Sequence, residues 1–119
     1  MINQVVLVGR LTKDLEVIET DSIKKRALVT LAVPRKFKNV DGIYETDFIR
    51  VVLWNNAALN AKEYCKSGDL LGIKGRIQVS TYKDSENNTR YSTEVIAESI
   101  TFLSSKRAEE TILDDEESN

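Results

Sequence analysis

Hydrophobic and polar positions alternate along most of this 119-residue chain, and a period of two predicts β-strands. The predicted strands cover residues 2–10 with an extension at 15–19, and then 26–33, 46–54, 69–82 and 91–103. Pro34 cannot donate to a strand ladder, so it is expected to end the second strand and leave 35–45 as a polar connection. Asp41 and Gly42 predict a turn there, and 84–90 is expected to form a hairpin tip.

One segment, 55–68, loses the period of two and predicts a helix. Asn55 or Asn56 is suited to cap its start, and Gly68 is suited to end it. Gly72 and Gly75 are expected to bend or bulge the long strand that follows. The predicted order is strand, strand, strand, helix, strand, strand, which is typical of a five-stranded Greek-key barrel, the OB-fold. Such closure also leaves a small β-protein without long open edges.

The strand "DFIRVVLW", residues 47–54, has two unlike faces. Successive side chains of a strand point to opposite sides, so its aliphatic residues share one face, which is expected to lie in the core. These residues are Ile49, Val51 and Leu53. The opposite face holds two large aromatic rings and a cation, in the set Phe48, Arg50, Val52 and Trp54.

The strand at 69–82 repeats this arrangement. Its odd positions include four aliphatic residues, Leu71, Ile73, Ile77 and Val79. Its even positions are basic or polar and end in an aromatic ring, in the set Lys74, Arg76, Gln78, Ser80 and Tyr82. The loops carry the same pairing of residue types, in the set Arg35, Lys36, Phe37, Lys38, Lys83, Arg90 and Tyr91.

Aromatic rings interleaved with cations suit single-stranded nucleic acid, because unstacked bases offer flat faces and phosphates attract Lys and Arg. Stacking on a protein ring contributes roughly 1–3 kcal/mol per base, and phosphate contacts add affinity without reading sequence. The predicted helix has only Lys62 and Lys66 as cations, so it is not a basic recognition helix. One such ring or cation alone is more typical of cross-strand packing or edge protection. Their coincidence on two strands and two loops favours binding.

The composition argues against catalysis. The chain has no histidine, which excludes histidine triads and histidine metal ligands, and its one cysteine, Cys65, can form neither a thiolate zinc site nor an internal disulfide. No compact carboxylate cluster is apparent in 1–103. We therefore expect no enzymatic activity, no metal and no cofactor. No apolar run has signal-peptide or membrane-spanning length, so a cytoplasmic protein without membrane contact is expected.

The net charge of −2 conceals an asymmetry along the chain. Residues 108–119 hold six acids and no base, whereas residues 1–107 hold all 17 Lys and Arg against 13 acids. We therefore expect two parts: a mildly basic binding domain at 1–103 and a disordered acidic tail at 104–119.

The ordered segments resemble bacterial single-stranded DNA-binding proteins of the homotetrameric OB-fold type. The resemblance covers 1–103 almost continuously and is carried by "NQVVLVGRLTKD", "TLAVPRKFKN", "DFIRVVLW", "GDLLGIKGRIQVSTY" and "YSTEVIAESITFL". It implies base stacking at four aromatic positions, Phe37, Phe48, Trp54 and Tyr82. It also implies a homotetramer with opening strands paired between subunits. Such a protein would coat exposed DNA at the nucleoid during replication, repair or recombination, without enzymatic activity.

Ten cations are expected to contact phosphates, namely Arg10, Arg35, Lys36, Lys38, Arg50, Lys62, Lys74, Arg76, Lys83 and Arg90. The chain departs from the family in its first hairpin, "EVIETDSIKKRAL", which lacks the usual Pro and Gly. It also ends "LDDEESN", whereas family tails carry an apolar tip that recruits genome-maintenance proteins. Either this chain lacks standard recruitment, as in a specialised paralogue, or it is shortened.

Two other functions compete with DNA binding. An OB-fold protein-interaction module of a replication-restart complex would bury the exposed aromatics against a partner. An RNA chaperone of the cold-shock type would cluster its aromatics in short consecutive strand motifs, which this sequence does not show.

Overall fold

The computed structural model describes residues 1–19 and 24–105, which form a β-barrel with one helix. Its elements are β1 Val5–Leu11, β2 Val17–Glu19, β3 Lys25–Lys38, β4 Tyr44–Trp54, α1 Asn55–Tyr64, β5 Leu70–Lys83 and β6 Thr89–Ser104. The sheet order is β1-β5-β6-β4-β3-β2, and a further pairing of β1 with β3 closes a barrel of five strands. The predicted OB-fold is confirmed, and the predicted 15–19 extension is the short strand β2.

The barrel interior is aliphatic. The large side chains that fill it are almost fully buried; they come from β1, β3, β4, β5 and the segment before β2, and they are Leu11, Leu15, Leu31, Val51, Leu53, Leu71 and Ile73. Helix α1 adds the small residues Ala58 and Ala61, followed by Cys65. Full burial of one such large side chain contributes about 1.5–3 kcal/mol, so the interior dominates the stability of the fold.

Two glycines permit close approach where strands cross. A Cβ atom at Gly9 would lie 2.8 Å from the carbonyl oxygen of Ala32, where β1 meets β3. A Cβ atom at Gly75 would collide with the carbonyl oxygen of Ile96. The register also shifts at Gly75, leaving Glu98 of β6 without a cross-strand partner, which is the arrangement of a β-bulge. The prediction of an irregularity is therefore confirmed at Gly75; no register shift occurs at Gly72.

β3 does not end at Pro34, so that prediction was wrong. The strand continues to Lys38, and Pro34 pairs with Thr46 of β4. The carbonyl oxygen of Thr30 accepts from the amide of Thr12, so even-numbered backbone groups of β3 point away from β4. Pro34 has the same parity and lies beyond Ala32, where the described pairing with β1 stops. Its missing N–H therefore faces an unpaired edge and costs no ladder bond.

The ends of α1 also differ from prediction. The helix stops at Tyr64, and no side chain caps its first turn. Asn55 instead has a positive φ of 49°, and its Oδ1 accepts a hydrogen bond from the amide of Lys25 at 3.1 Å. Gly68, with φ 90°, lies in the following turn and donates its amide to the carbonyl of Leu11 at 2.7 Å. Contacts with neighbouring strands therefore replaced local capping.

Ser104, the first residue of the predicted tail 104–119, belongs to β6, and the tail from residue 106 onward lies outside the described residues. Residues 20–23 of the first hairpin also lie outside them.

Within 1–19 and 24–105, no helix has the length and apolar character needed to cross a bilayer. In the same ranges, no three potential metal-binding side chains of the His, Cys, Asp or Glu type lie together.

Candidate nucleic-acid interface

The even-numbered residues of β3 and β4 share one outer surface, because directly opposed residues of paired strands point to the same side of a sheet. The opposed pairs on this surface are Arg26–Trp54, Leu28–Val52, Thr30–Arg50 and Ala32–Phe48. Two aromatic rings and two arginines therefore lie on one side of the β3–β4 sheet.

β6 and β5 continue the same surface. β4 and β6 pair in parallel, with Val52 beside Ile96. Further pairs then extend across β5 and β6, namely Arg76–Ile96, Gln78–Glu94, Ser80–Ser92 and Tyr82–Arg90. We call this continuous four-stranded surface the outer face; its aromatic and basic members are Arg26, Phe48, Arg50, Trp54, Arg76, Tyr82 and Arg90. The two strand faces singled out from the sequence are thus parts of one surface.

Exposure differs among the four predicted stacking residues. Phe37, Phe48 and Tyr82 expose 82%, 67% and 54% of their surface, whereas Trp54 is partly buried. Three rings are therefore open for contact with flat bases. Val52 lies on the same face but is only 1% exposed, because neighbouring side chains of the outer face cover it.

Two hairpin arms project from the barrel. The first arm comprises residues 34–46 of β3, β4 and their turn. The second comprises residues 77–94 of β5, β6 and their turn, between Gly75, where the described pairing with β1 ends, and Val95, which pairs with Val51 of β4. Phe37 lies on the first arm, in the segment where the β3–β4 register shifts, and Tyr82 lies on the second.

The second arm also explains a wrong prediction. Ile77 and Val79 were assigned to the core face of their strand, but they are 43% and 57% exposed. Both lie past Gly75, where the interior of the barrel has ended. The alternation correctly placed both side chains on the aliphatic face of β5. It did not show where along β5 that face stops lining the barrel.

Arg35 holds the first arm together. Its guanidinium donates to Asp47 at 2.9 and 3.2 Å and to Glu45 at 2.7 Å, both on β4. The hydrogen bond from Arg35 lowers the pKa of Asp47, and the same contact raises the pKa of Arg35. A cation expected to contact phosphate is thus committed to two carboxylates.

Asp84 organises the tip of the second arm. One of its carboxylate oxygens accepts from the amides of Glu86 and Asn88, each at 2.9 Å, and the other accepts from Arg90 Nε at 2.9 Å. The backbone donor at Asn88 and then Arg90 lower the pKa of Asp84. Arg90, another predicted phosphate ligand, is therefore paired with an acid. Lys83 Nζ donates to Thr89 Oγ1 at 3.0 Å.

The remaining predicted cations lie in different settings. Lys62 Nζ donates to the carbonyl of Leu15 at 2.7 Å and fastens α1 to the barrel. Arg10 lies beside Ala32 and donates to the carbonyl of Gly68 at 3.1 Å. The others lie on the strands and arms, namely Lys36, Lys38, Arg50, Lys74 and Arg76, with Lys38 Nζ 5.6 Å from the ring centroid of Tyr44 and Arg76 donating to Gln78 at 2.8 Å.

Sequence reasoning missed two residues of the outer face, Arg26 and Glu94. The guanidinium carbon of Arg26 lies 5.9 Å from the ring centroid of Trp54, and its Nη2 lies 3.6 Å from a carboxylate oxygen of Glu94. The parity of each residue was readable from the sequence. That β3 and β6 flank β4 with these residues in reach of each other was not.

Comparisons with known proteins agree with this architecture. The model of the Single-strand binding protein family matches residues 2–103. The chain is 45% identical over 109 residues to "Single-stranded DNA-binding protein B" of Bacillus subtilis (strain 168), covering 92% of this chain and 96% of that protein. It is 50% identical over 103 residues to "Single-stranded DNA-binding protein 1" of Streptococcus pyogenes serotype M18, covering 87% and 79%. These matches, which span the barrel, show that the chain belongs to the single-strand binding protein family.

Proposed function

We propose that this protein binds single-stranded DNA with little sequence preference and protects it during replication, repair or recombination. Its task is binding and not catalysis. Membership of the single-strand binding protein family supports this function. The observation that carries it is the outer face, where Phe48 and Tyr82 are exposed beside Arg50 and Arg76 on adjoining strands. We assign this function to residues 1–103.

In the proposed mechanism, bases stack on the rings of Phe37, Phe48, Trp54 and Tyr82, each contributing about 1–3 kcal/mol. A duplex hides its base faces, so open rings favour single strands. Phosphates contact the cations beside these rings, for which we propose Arg10, Lys36, Lys38, Arg50, Lys74, Arg76 and Lys83. We assign Arg35 and Arg90 to bracing, because their guanidinium groups are paired with carboxylates, and Lys62 likewise, because its ammonium is bonded to the carbonyl of Leu15 in a partly buried position.

We further propose a homotetramer in which opening strands pair. β1 pairs with β5 from Val5 to Arg10 but with β3 only at Arg10 and Leu11. Residues 5–9 therefore leave one edge open in the described chain, and Val6 and Val8 expose 68% and 50% of their surface. An open apolar edge favours pairing with another copy in a closed symmetric assembly. Sedimentation equilibrium should show a tetramer, and a monomer at micromolar concentration would contradict it.

The acidic tail, 104–119, is the proposed contact for genome-maintenance proteins. Its composition of six acids after Arg107 supports a polar docking segment that phosphates repel. Deleting 108–119 should abolish such contacts and leave affinity for DNA equal or slightly higher, which pull-down and DNA titration of the two forms would measure.

Titration with labelled dT, rU and duplex oligomers tests the main proposal. Strong dT binding, weak duplex binding and quenching of Trp54, the only tryptophan, are expected. Tyr64→Ala supplies a matched control, because Tyr64 is 67% exposed on α1 and lies outside the outer face. Its removal should leave dT affinity unchanged. No binding to any oligomer would favour a protein-interaction module, and preference for rU would favour an RNA chaperone.

A further inference from the structure

An acidic residue occupies the middle of the outer face, where a polyanion is proposed to bind. Glu94 lies on β6, and its side chain is 27% exposed. It lines a recess of about 150 Å³ together with Arg26, Leu28, Arg50, Val52, Ser92 and Thr93. A carboxylate at this place repels phosphates, so its presence calls for a compensating role.

The partner of Glu94 indicates that role. Arg26 lies on β3 and Glu94 on β6, with β4 between them, so their ion pair crosses β4. Val52 of β4 lies in this stretch and lines the same recess, and it is only 1% exposed. The ion pair thus covers part of the outer face and ties together the two strands that flank β4.

The same arginine also contacts the ring of Trp54. Arg26 and Trp54 are directly opposed across β3 and β4, and the guanidinium lies 5.9 Å from the ring centroid, within cation–π range. An aromatic ring has two flat faces, and a guanidinium over one of them leaves the other for a base. The three side chains therefore form a connected row from β6 to β3 and back to β4.

We propose that Arg26 and Glu94 are positioning residues for Trp54: Glu94 holds the guanidinium over one face of the indole, so that Trp54 stacks a single base on the opposite face. This inference rests on the proposed DNA binding. In this role Glu94 increases affinity for DNA. Charge repulsion alone predicts the opposite, because removing an acid from a phosphate-binding surface raises affinity.

Glu94→Gln separates the two explanations by the sign of its effect. If Glu94 positions Arg26, the variant should lose roughly two- to fivefold in dT affinity, the size expected for an exposed cation–π contact. Glu98→Gln is the matched control, since Glu98 lies on the same strand, at the bulge and outside the recess. Its loss of charge should leave affinity equal or slightly higher.

The fluorescence of Trp54 also tests the contact between Glu94, Arg26 and Trp54 in the protein without DNA. Acrylamide quenching of this single tryptophan should increase in Glu94→Gln and in Arg26→Gln, and the double variant should add little, because both changes break one connected interaction. The salt dependence of dT binding should keep its slope in Glu94→Gln. A slope that falls by about 0.7 in Arg26→Gln would mark Arg26 as a phosphate ligand and overturn its positioning role.

The outcomes separate this inference from the proposed function. Absence of dT binding by the unmodified protein would overturn the proposed function. A rise in dT affinity in Glu94→Gln equal to that in Glu98→Gln, with unchanged quenching of Trp54, would overturn the positioning role alone.

Discussion

The two hairpin arms present an exposed aromatic ring in similar settings, but their charged side-chain contacts are arranged differently. In the first arm an arginine is the centre of the network: Arg35 reaches two acids on the opposite strand, 10 and 12 residues away. In the second arm an acid is the centre: Asp84 accepts from donors only two to six residues away. Asn39 braces the first tip as Asp84 braces the second, since its Oδ1 accepts from the amides of Asp41 and Ile43. The first arm therefore combines a local brace with one that crosses its strands, whereas the bonds of Asp84 all stay within the tip.

This difference has consequences for how each ring is held. Loss of Arg35 weakens the hold of β3 on β4 along a stretch of irregular register, where the pairing of Lys38 with Tyr44 and the bonds of Asn39 remain. Loss of Asp84 disturbs the tip, but β5 and β6 remain paired without interruption from Gly75 to Lys83. Phe37 should therefore depend on its brace more than Tyr82 does.

Removing the rings themselves should have the largest effect. Phe37→Ala and Tyr82→Ala should each lower dT affinity by about 1–3 kcal/mol if one base stacks on each ring. If the arms bind separate bases, the double variant should show the sum of the single effects within about 0.5 kcal/mol. Fluorescence titration with dT measures all three, with Tyr64→Ala as the control ring. A folded variant with full affinity would show that its ring is not a stacking platform.

Arg35→Lys should have a smaller effect, which distinguishes bracing from phosphate binding. Lysine keeps the charge but cannot form the fork to Asp47 and Glu45. We expect a few-fold loss of dT affinity with an unchanged salt slope. Lys36→Gln, one residue on, should instead lower the salt slope by about 0.7, as loss of one phosphate contact does for single strands. An Arg35→Lys variant that binds like the unmodified protein would contradict the bracing role.

Asp84→Ala should affect the tip of the second arm and little else. Faster hydrogen exchange is expected at the amides of Glu86 and Asn88, which lose their acceptor. Because the strand ladder beneath Tyr82 persists, dT affinity should fall less than in Arg35→Lys. Asp84→Asn, which keeps an acceptor oxygen but not the charge, is the control for the turn. An affinity loss equal to that of Tyr82→Ala would show that the tip positions the ring.

Acid should weaken both braces, by the smallest amount and only at low pH. Asp47 and Asp84 have pKa values below the ordinary 3.8, so each favours the folded state fully above that pH. Their contributions are lost as the pH falls from about 3.8 through the lowered folded-state pKa. NMR titration of the side-chain carboxyls measures this directly.

Salt should affect the pKa values of Asp47 and Asp84 to different extents. The pKa of Asp47 is lowered first by its charged partner Arg35, whereas that of Asp84 is lowered first by the backbone amide of Asn88. Because salt screens exposed charges more than neutral dipoles, raising it should move Asp47 further back towards 3.8 than Asp84. Equal movement of the two would contradict the proposed difference between the arms.

The features readable from the amino-acid order are those set over a few residues. Alternation along 47–54 and 69–82 separated the outer face from the aliphatic face, because successive side chains of a strand point to opposite sides. The tip at 84–90 was predicted from its turn-forming residues, and the structure shows Asp84 bonded to its own turn. The strand order around one helix pointed to the barrel, which the structure confirms. The four stacking positions were implied by the family resemblance, and alternation had already placed Phe48, Trp54 and Tyr82 on the face away from the aliphatic residues; their role in stacking stays a prediction.

Other features depended on which strands become neighbours and in what register. Pro34 continued its strand because its nitrogen faces an edge that β1 does not reach, and Ile77 and Val79 were exposed because the barrel ends at Gly75. Arg35 on β3 binds acids on the neighbouring strand β4, and Arg26 on β3 contacts Glu94 on β6, on the other side of β4. Periodicity assigns a side chain to a face of its own strand. It carries no information about the distance between that side chain and another strand, which only closure of the barrel decides.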